Sequence, residues 1–139
     1  MQTFIPYADF CESARVLDRQ RLGKQRVETL QILNALAGLS KGWVNHPATR
    51  MWRGYEIALA QYGLEICREW KHRGYKDSCA EKIASVSKVF HQSEIIYPEW
   101  WGDDSVHDSH KSRLLQKDYN YYIKFGWKVP LDLDYVWPV

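Results

Sequence analysis

Long apolar runs are missing from this sequence: none approaches the roughly 18 residues that a membrane-spanning helix needs. Cysteine is scarce as well. Cys11, Cys67 and Cys79 make an odd set with no CxxC pair, which argues against a disulfide framework or a cysteine-rich zinc site and fits reduced thiols. The opening stretch MQTFIPYADFCESARVLD has neither the basic n-region nor the apolar h-region of a secretory signal. The expected setting is therefore the cytoplasm, with no membrane partner. Net charge is only +2, too little to argue for nucleic acid by itself. Internal repeats, low-complexity tracts and interdomain linkers are absent, and strand-like alternation is weak throughout.

What is present is enough for a core. The 139 residues are 45% hydrophobic and 26% charged, the make-up of one globular domain over residues 1–139. Aromatics are the outlier, with seven Trp and nine Tyr. Charge is uneven: Arg15, Arg19, Arg21, Lys24 and Arg26 crowd against one acid, Asp18.

Local signals predict helices. The first residues read as an irregular arm ending near Pro6. Asp9 and Glu12 form a capping box for a short helix through Val16 and Leu17. Asp18 caps a second helix, whose apolar stripe (Leu22, Val27, Leu30, Leu33, Leu36) stops at Gly38. Arg21, Lys24, Gln25 and Glu28 share its other face. KGWVNHP is a loop in which His46 or Asn45 caps and Pro47 starts a long helix. That helix runs to Gly74, with Gly54 and Gly63 marking a kink or a close helix approach. A further helix is expected from Cys79 to about His91, and residues 95–110 read as an aromatic loop. One or two short helices then reach Gly126, before a tail of irregular chain. The predicted class is mainly α: a compact single-domain helical bundle with an irregular N-terminal arm and an aromatic-rich C-terminal tail.

Four constellations could carry chemistry. Cations around Glu28 favour its ionised form; Glu28 is either half of a surface pair with Lys24 or a carboxylate facing a sugar that develops positive charge. His46 at a helix start either caps or donates to a phosphate or base. Asp103, Asp104, His107, Asp108 and His110 could ligate a divalent metal or form a solvated loop. Near the C-terminus Tyr119, Tyr121, Tyr122 and Trp127 alternate with Lys117, Lys124 and Lys128. Such rings either stack on unpaired bases or fill the core.

Three of these stretches resemble the pyrimidine-dimer DNA glycosylase family. LDRQRLGKQRVETL (residues 17–30) is similar to the family's first helix, which holds a catalytic glutamate. GWVNHP (residues 42–47) places His46 at the family's histidine, and HRGYKD (residues 72–77) looks like its turn after the long helix. The aromatic, lysine-rich C-terminal segment is a looser match. The resemblance implies a helical protein that removes a damaged pyrimidine from double-stranded DNA and then nicks the abasic strand. It needs no cofactor and no metal, and it works as a monomer. In that family the chain's own α-amine is the nucleophile. An α-amine ordinarily titrates near 8, so part of it is neutral at pH 7. By this matching Glu28 and Met1 are catalytic. Arg19, Arg21, Lys24, Arg26, His46, Arg50, Lys117, Tyr121, Tyr122, Lys124 and Trp127 are expected on DNA. The chain departs from the pattern at Gln2, where the family's mature threonine stands, and at Val27, where the family has an arginine before its glutamate. Two other readings stay open: a non-catalytic nucleic-acid-binding module, and a metal-dependent hydrolase built on His107 and His110.

Overall fold

A computed structural model describes residues 1–92 and 94–139. Among the described residues seven α-helices follow in order: α1 (Phe10–Val16), α2 (Arg19–Leu36), α3 (Pro47–Arg50), α4 (Glu56–His72), α5 (Cys79–Ser87), α6 (Asp104–Lys117) and α7 (Tyr119–Tyr122), with a 3-10 turn at Ile123–Phe125. No strand occurs among the described residues, so the mainly α class holds. No described helix is long and apolar enough to cross a membrane.

The caps form as local chemistry dictates. Asp9 accepts the Glu12 amide, Asp18 that of Arg21 and His46 that of Ala48, each satisfying an orphan donor of a first helical turn. Helix α2 packs on α4 and α5. Gly63 makes this approach possible: a Cβ there would lie 2.7 Å from Thr29 Cγ2 and 2.9 Å from Ile83 Cδ1. One hydrophobic cluster runs from Phe4 to Tyr122 around Leu22, Leu33, Trp52, Leu59 and Ile66.

Three expected boundaries are corrected. The long helix from Pro47 to Gly74 is two helices, because Gly54 adopts φ 90° and breaks the chain between α3 and α4. Helix α5 stops at Ser87 rather than near His91. Residues 104–110, expected as loop, open α6: Asp103 caps the Ser105 amide, and His107 and His110, one turn apart, face inward and are buried.

The N-terminal arm is the unusual element. Gln2, Thr3, Phe4, Ile5 and Pro6 are buried, yet no strand pairs with them. Buried backbone groups require partners, and here side chains supply them. Gln25 accepts the Phe4 N–H at 3.0 Å and donates to the Gln2 carbonyl at 2.8 Å. The Tyr62 hydroxyl lies 2.8 Å from the Phe4 carbonyl and 2.7 Å from Gln25 Oε1, and its one proton serves these acceptors in turn. Trp52 Nε1–H donates to Thr3 Oγ1 at 3.0 Å. Two histidines hold Ile5 from both sides. His107 Nδ1–H donates to its carbonyl at 2.8 Å, and His110 Nδ1 accepts its N–H at 3.0 Å. His107 Nε2 accepts the Gly102 N–H. These partners fix both rings as neutral tautomers.

Burial, with a smaller contribution from His107, pushes the His110 imidazole down to about 3. Its folded value lies below that of a free imidazole, near 6.5. The unfolded chain therefore binds the proton first, and stability is lost as pH falls from about 6.5 toward 3. Urea unfolding between pH 7 and pH 4 should show a slope from this residue of up to about 1.4 kcal/mol per pH unit. His110→Gln, which keeps an acceptor for Ile5, should flatten that slope; an unchanged slope would contradict the clamp.

Candidate active site

Glu28 sits mid-way along α2, one turn beyond Gln25 and half-buried. The Gln2 backbone N–H donates to Glu28 Oε2 at 3.1 Å, and Gln25 Nε2–H donates to the same oxygen at 3.3 Å. Among the described residues no donor reaches Oε1, so that oxygen keeps its lone pairs for a substrate. The carboxylate forms no ion pair with Lys24. It faces instead a cleft of about 220 Å³ lined by Met1, Gln2, Arg21, Lys24, Lys117 and Tyr135, among others. The arm therefore delivers the chain's first residue to the wall that carries Glu28.

His46, the cap of α3, does not line the cleft but lies within electrostatic reach of Met1 and Glu28. Its Nδ1 accepts the Ala48 N–H at 3.0 Å, which leaves the proton on Nε2. Burial lowers the imidazole below 6.5 and the Met1 amine lowers it further, while Glu28 pulls it up. The ring is thus neutral at pH 7, a donor rather than a cation. At the far end of α6, burial lowers the Lys117 ammonium. Arg21, Arg113 and Lys24 add to this, and Glu28 opposes it. Arg21 reaches Asp18 at 3.2 Å and stays one-fifth exposed.

Of the residues expected on DNA, Arg21, Lys24 and Lys117 meet at this cleft. Arg19 lies in an adjoining groove of about 560 Å³ that also touches Lys24, Glu28 and Trp70. Arg50 is exposed in the last turn of α3. Arg26 points elsewhere: it pairs with Asp77 at 2.6 Å and lies 4.5 Å over the Trp70 ring. Burial raises the Asp77 carboxyl, but Arg26 and the amides of Ala80 and Cys79 outweigh this and hold it below its usual range. Arg26 thereby ties α2 to the start of α5.

Of the C-terminal rings Tyr119 is exposed, while Tyr122, Phe125 and Trp127 stack on one another. Tyr122 is fully buried; its hydroxyl donates to Asp18 Oδ1 and accepts the Asp18 N–H. Trp127 stacks on Tyr122 and Phe125 and donates to the Tyr7 hydroxyl at 2.7 Å. Tyr121 is partly buried beneath Lys124, whose ammonium lies 4.0 Å from its ring centroid. A base cannot stack on Tyr122 without opening this stack. His107 and His110 are committed to the Ile5 backbone, and the described residues hold no group of three or more ligating side chains suited to a metal ion. Burial, with Asp77 nearby, pushes the Cys67 thiol up to about 12, away from the thiolate form that a nucleophilic cysteine uses.

Gln25, Tyr62 and Tyr135 shape the site as well, yet nothing in the sequence marked them for it. Gln25 stood on the expected exposed face of α2, and only a buried polar side chain needing partners could have marked it.

A family model described as pyrimidine dimer DNA glycosylase matches residues 1–82. That span holds the arm, Glu28, His46 and α4, whereas Lys117 and the tail lie beyond it. No curated protein and no solved structure matches the chain.

The electrostatic triangle of Met1, Glu28 and His46 can be read by NMR titration of the His46 ring. Its midpoint should fall below 6.5. Acetylating the Met1 amine should raise it, and Glu28→Gln should lower it further. A midpoint indifferent to both changes would place the three groups apart.

Proposed function

The chain belongs to the pyrimidine dimer DNA glycosylase family, and we propose that this cleft excises a damaged pyrimidine from duplex DNA and then cleaves the abasic strand. The observation that carries the reading is the bond from the Gln2 N–H to Glu28 Oε2, which brings the start of the chain against an available carboxylate. The chain acts as a monomer, with Met1 and Glu28 as its catalytic residues.

The chemistry follows from the groups at hand. The unprotonated Met1 nitrogen attacks C1′ of the damaged nucleotide. The glycosidic bond breaks with its electron pair to the base, which takes up a proton and leaves. Glu28 removes a proton from the attacking nitrogen and passes it to O4′ as the C1′–O4′ bond opens, leaving a protonated Schiff base. Glu28 then accepts the C2′ proton, the 3′-phosphate leaves by β-elimination, and water frees the amine. Arg21, Lys24 and Lys117 hold the backbone phosphates on one side of the cleft, and neutral His46 donates a hydrogen bond at its rim. Extruding the nucleotide costs a few kcal/mol, least at a damaged step, and phosphate contacts offset that cost.

Lys24 and Lys117 are the other amines at the cleft, and Lys117 is partly desolvated and among cations, so the test must tell three amines apart. Borohydride added during turnover on a dimer-containing duplex should trap a protein–DNA adduct that peptide mapping places at Met1. An adduct at Lys24 or Lys117 would overturn the amine assignment. Glu28→Gln should lower excision at least about 100-fold, the usual scale for removing a catalytic proton-transfer group, while duplex binding survives. Undiminished excision would remove Glu28 from the chemistry.

A further inference from the structure

Trp43 is the one residue other than glycine with positive φ, 66°, among the described residues. Left-handed backbone is unfavourable for a bulky side chain and persists only where the surroundings impose it. Here the loop is pinned on either side. The Trp43 carbonyl accepts the His46 N–H at 3.1 Å, and the Val44 carbonyl accepts from Arg53 at 3.5 Å. Gly42 stands next door and would tolerate the conformation without strain, yet the tryptophan occupies it. The result is an indole held 48% exposed on the loop between α2 and α3, unusual for so large a ring.

The indole is not isolated. Trp43 packs edge-on against His46 at 5.5 Å between centroids, His46 against Trp137 at 5.8 Å, and Trp137 against Tyr135 at 5.3 Å. Tyr135 is a wall of the cleft that holds Glu28. A continuous ridge of rings thus leads from solvent to the carboxylate, and its members other than Trp43 are half-buried. The cations Arg21, Lys24 and Lys117 line the cleft at which it ends. Rings beside a cationic track are the arrangement that receives unpaired bases, because every base offers a π-face while the cations hold its phosphates.

We propose that this ridge is a stacking site for an unpaired nucleobase, with Trp43 as the residue that enters the duplex when the damaged nucleotide leaves it. The inference rests on the glycosylase reading above, and it assigns to Trp43, Trp137 and Tyr135 a part in recognising distorted DNA. Backbone strain is retained at Trp43 because a rigidly presented indole meets the base without first being ordered.

The test uses the full chain and a duplex carrying a tetrahydrofuran abasic site, with 2-aminopurine opposite it, beside an undamaged duplex of the same sequence. Wild type should bind the abasic duplex more tightly than the undamaged one and quench the 2-aminopurine on binding. Trp43→Ala should weaken abasic-duplex binding about tenfold, the scale of one aromatic–base stack, abolish the quench and leave undamaged-duplex binding unchanged. Trp43→Phe should restore most of both signals. Trp43→Gly separates function from folding: relief of the left-handed strain should raise the melting temperature while binding stays weak. Trp43→Gly that binds and quenches like wild type would overturn the stacking site and leave the glycosylase reading standing. Wild type with no preference for the abasic duplex and no excision of a dimer would overturn both.

Discussion

A buried, extended N-terminal arm without a partner strand is the constraint on which the rest of this structure depends. A strand in a sheet satisfies its backbone through a neighbour. This arm satisfies its own through Gln25 from α2, Tyr62 from α4 and His107 and His110 from α6, while Trp52 from the turn after α3 donates to the Thr3 side chain. Four parts of the chain are thereby tied to the four residues from Gln2 to Ile5. Each tie is polar and directional, so the arm has one register. Slipping by a residue would leave several buried donors and acceptors unpaired, at about 1–3 kcal/mol each.

That register is what creates a site. Gln25 is shared: its amide holds the Gln2 carbonyl and also reaches Glu28. One turn of α2 thus both fixes the arm and presents the carboxylate to it. The cations of α2 divide in the same way. Arg21 and Lys24 open onto the cleft, whereas Arg26, about 100° further round the helix from Gln25, turns to Asp77 and Trp70 and serves packing. A helix whose sequence reads as one basic block is in fact a cleft-lining face and a structural face.

Legibility in the sequence followed the range of the interaction. Asp9, Asp18 and His46 declared their helix starts, because a cap acts over two or three residues. The apolar stripe expected from Leu22 to Leu36 held only in part: Leu22 and Leu33 are buried, but Val27 is exposed, and Gln25 takes a core place one turn before Glu28 because the arm's backbone needs a polar partner there. The stop at Gly54 was visible only as a weakness, since a helix can carry a glycine and it is the left-handed backbone that ends α3–α4 continuity. The opening turns of helix α6 were hidden, as their polar residues and histidines read like a loop until the arm supplies partners for His107 and His110. The C-terminal rings could be assigned to DNA or to the core by composition alone. The fold puts Tyr122 and Trp127 inside and leaves the exposed indole to Trp43, which no local rule distinguished. The arm's partners lie from about 20 to more than 100 residues away in sequence, beyond the reach of any periodicity.

The central claim is that the arm's register sets the chain's own amine against Glu28. It is tested most directly by adding one glycine before Met1 and measuring single-turnover excision on a dimer-containing duplex. The added residue leaves the clamped segment from Gln2 to Ile5 untouched and moves the amine by about 3.5 Å. The account predicts a rate at least about 100-fold lower, the scale of a misplaced reacting group, with melting temperature and duplex binding unchanged. An extended chain that excises at the original rate would contradict it.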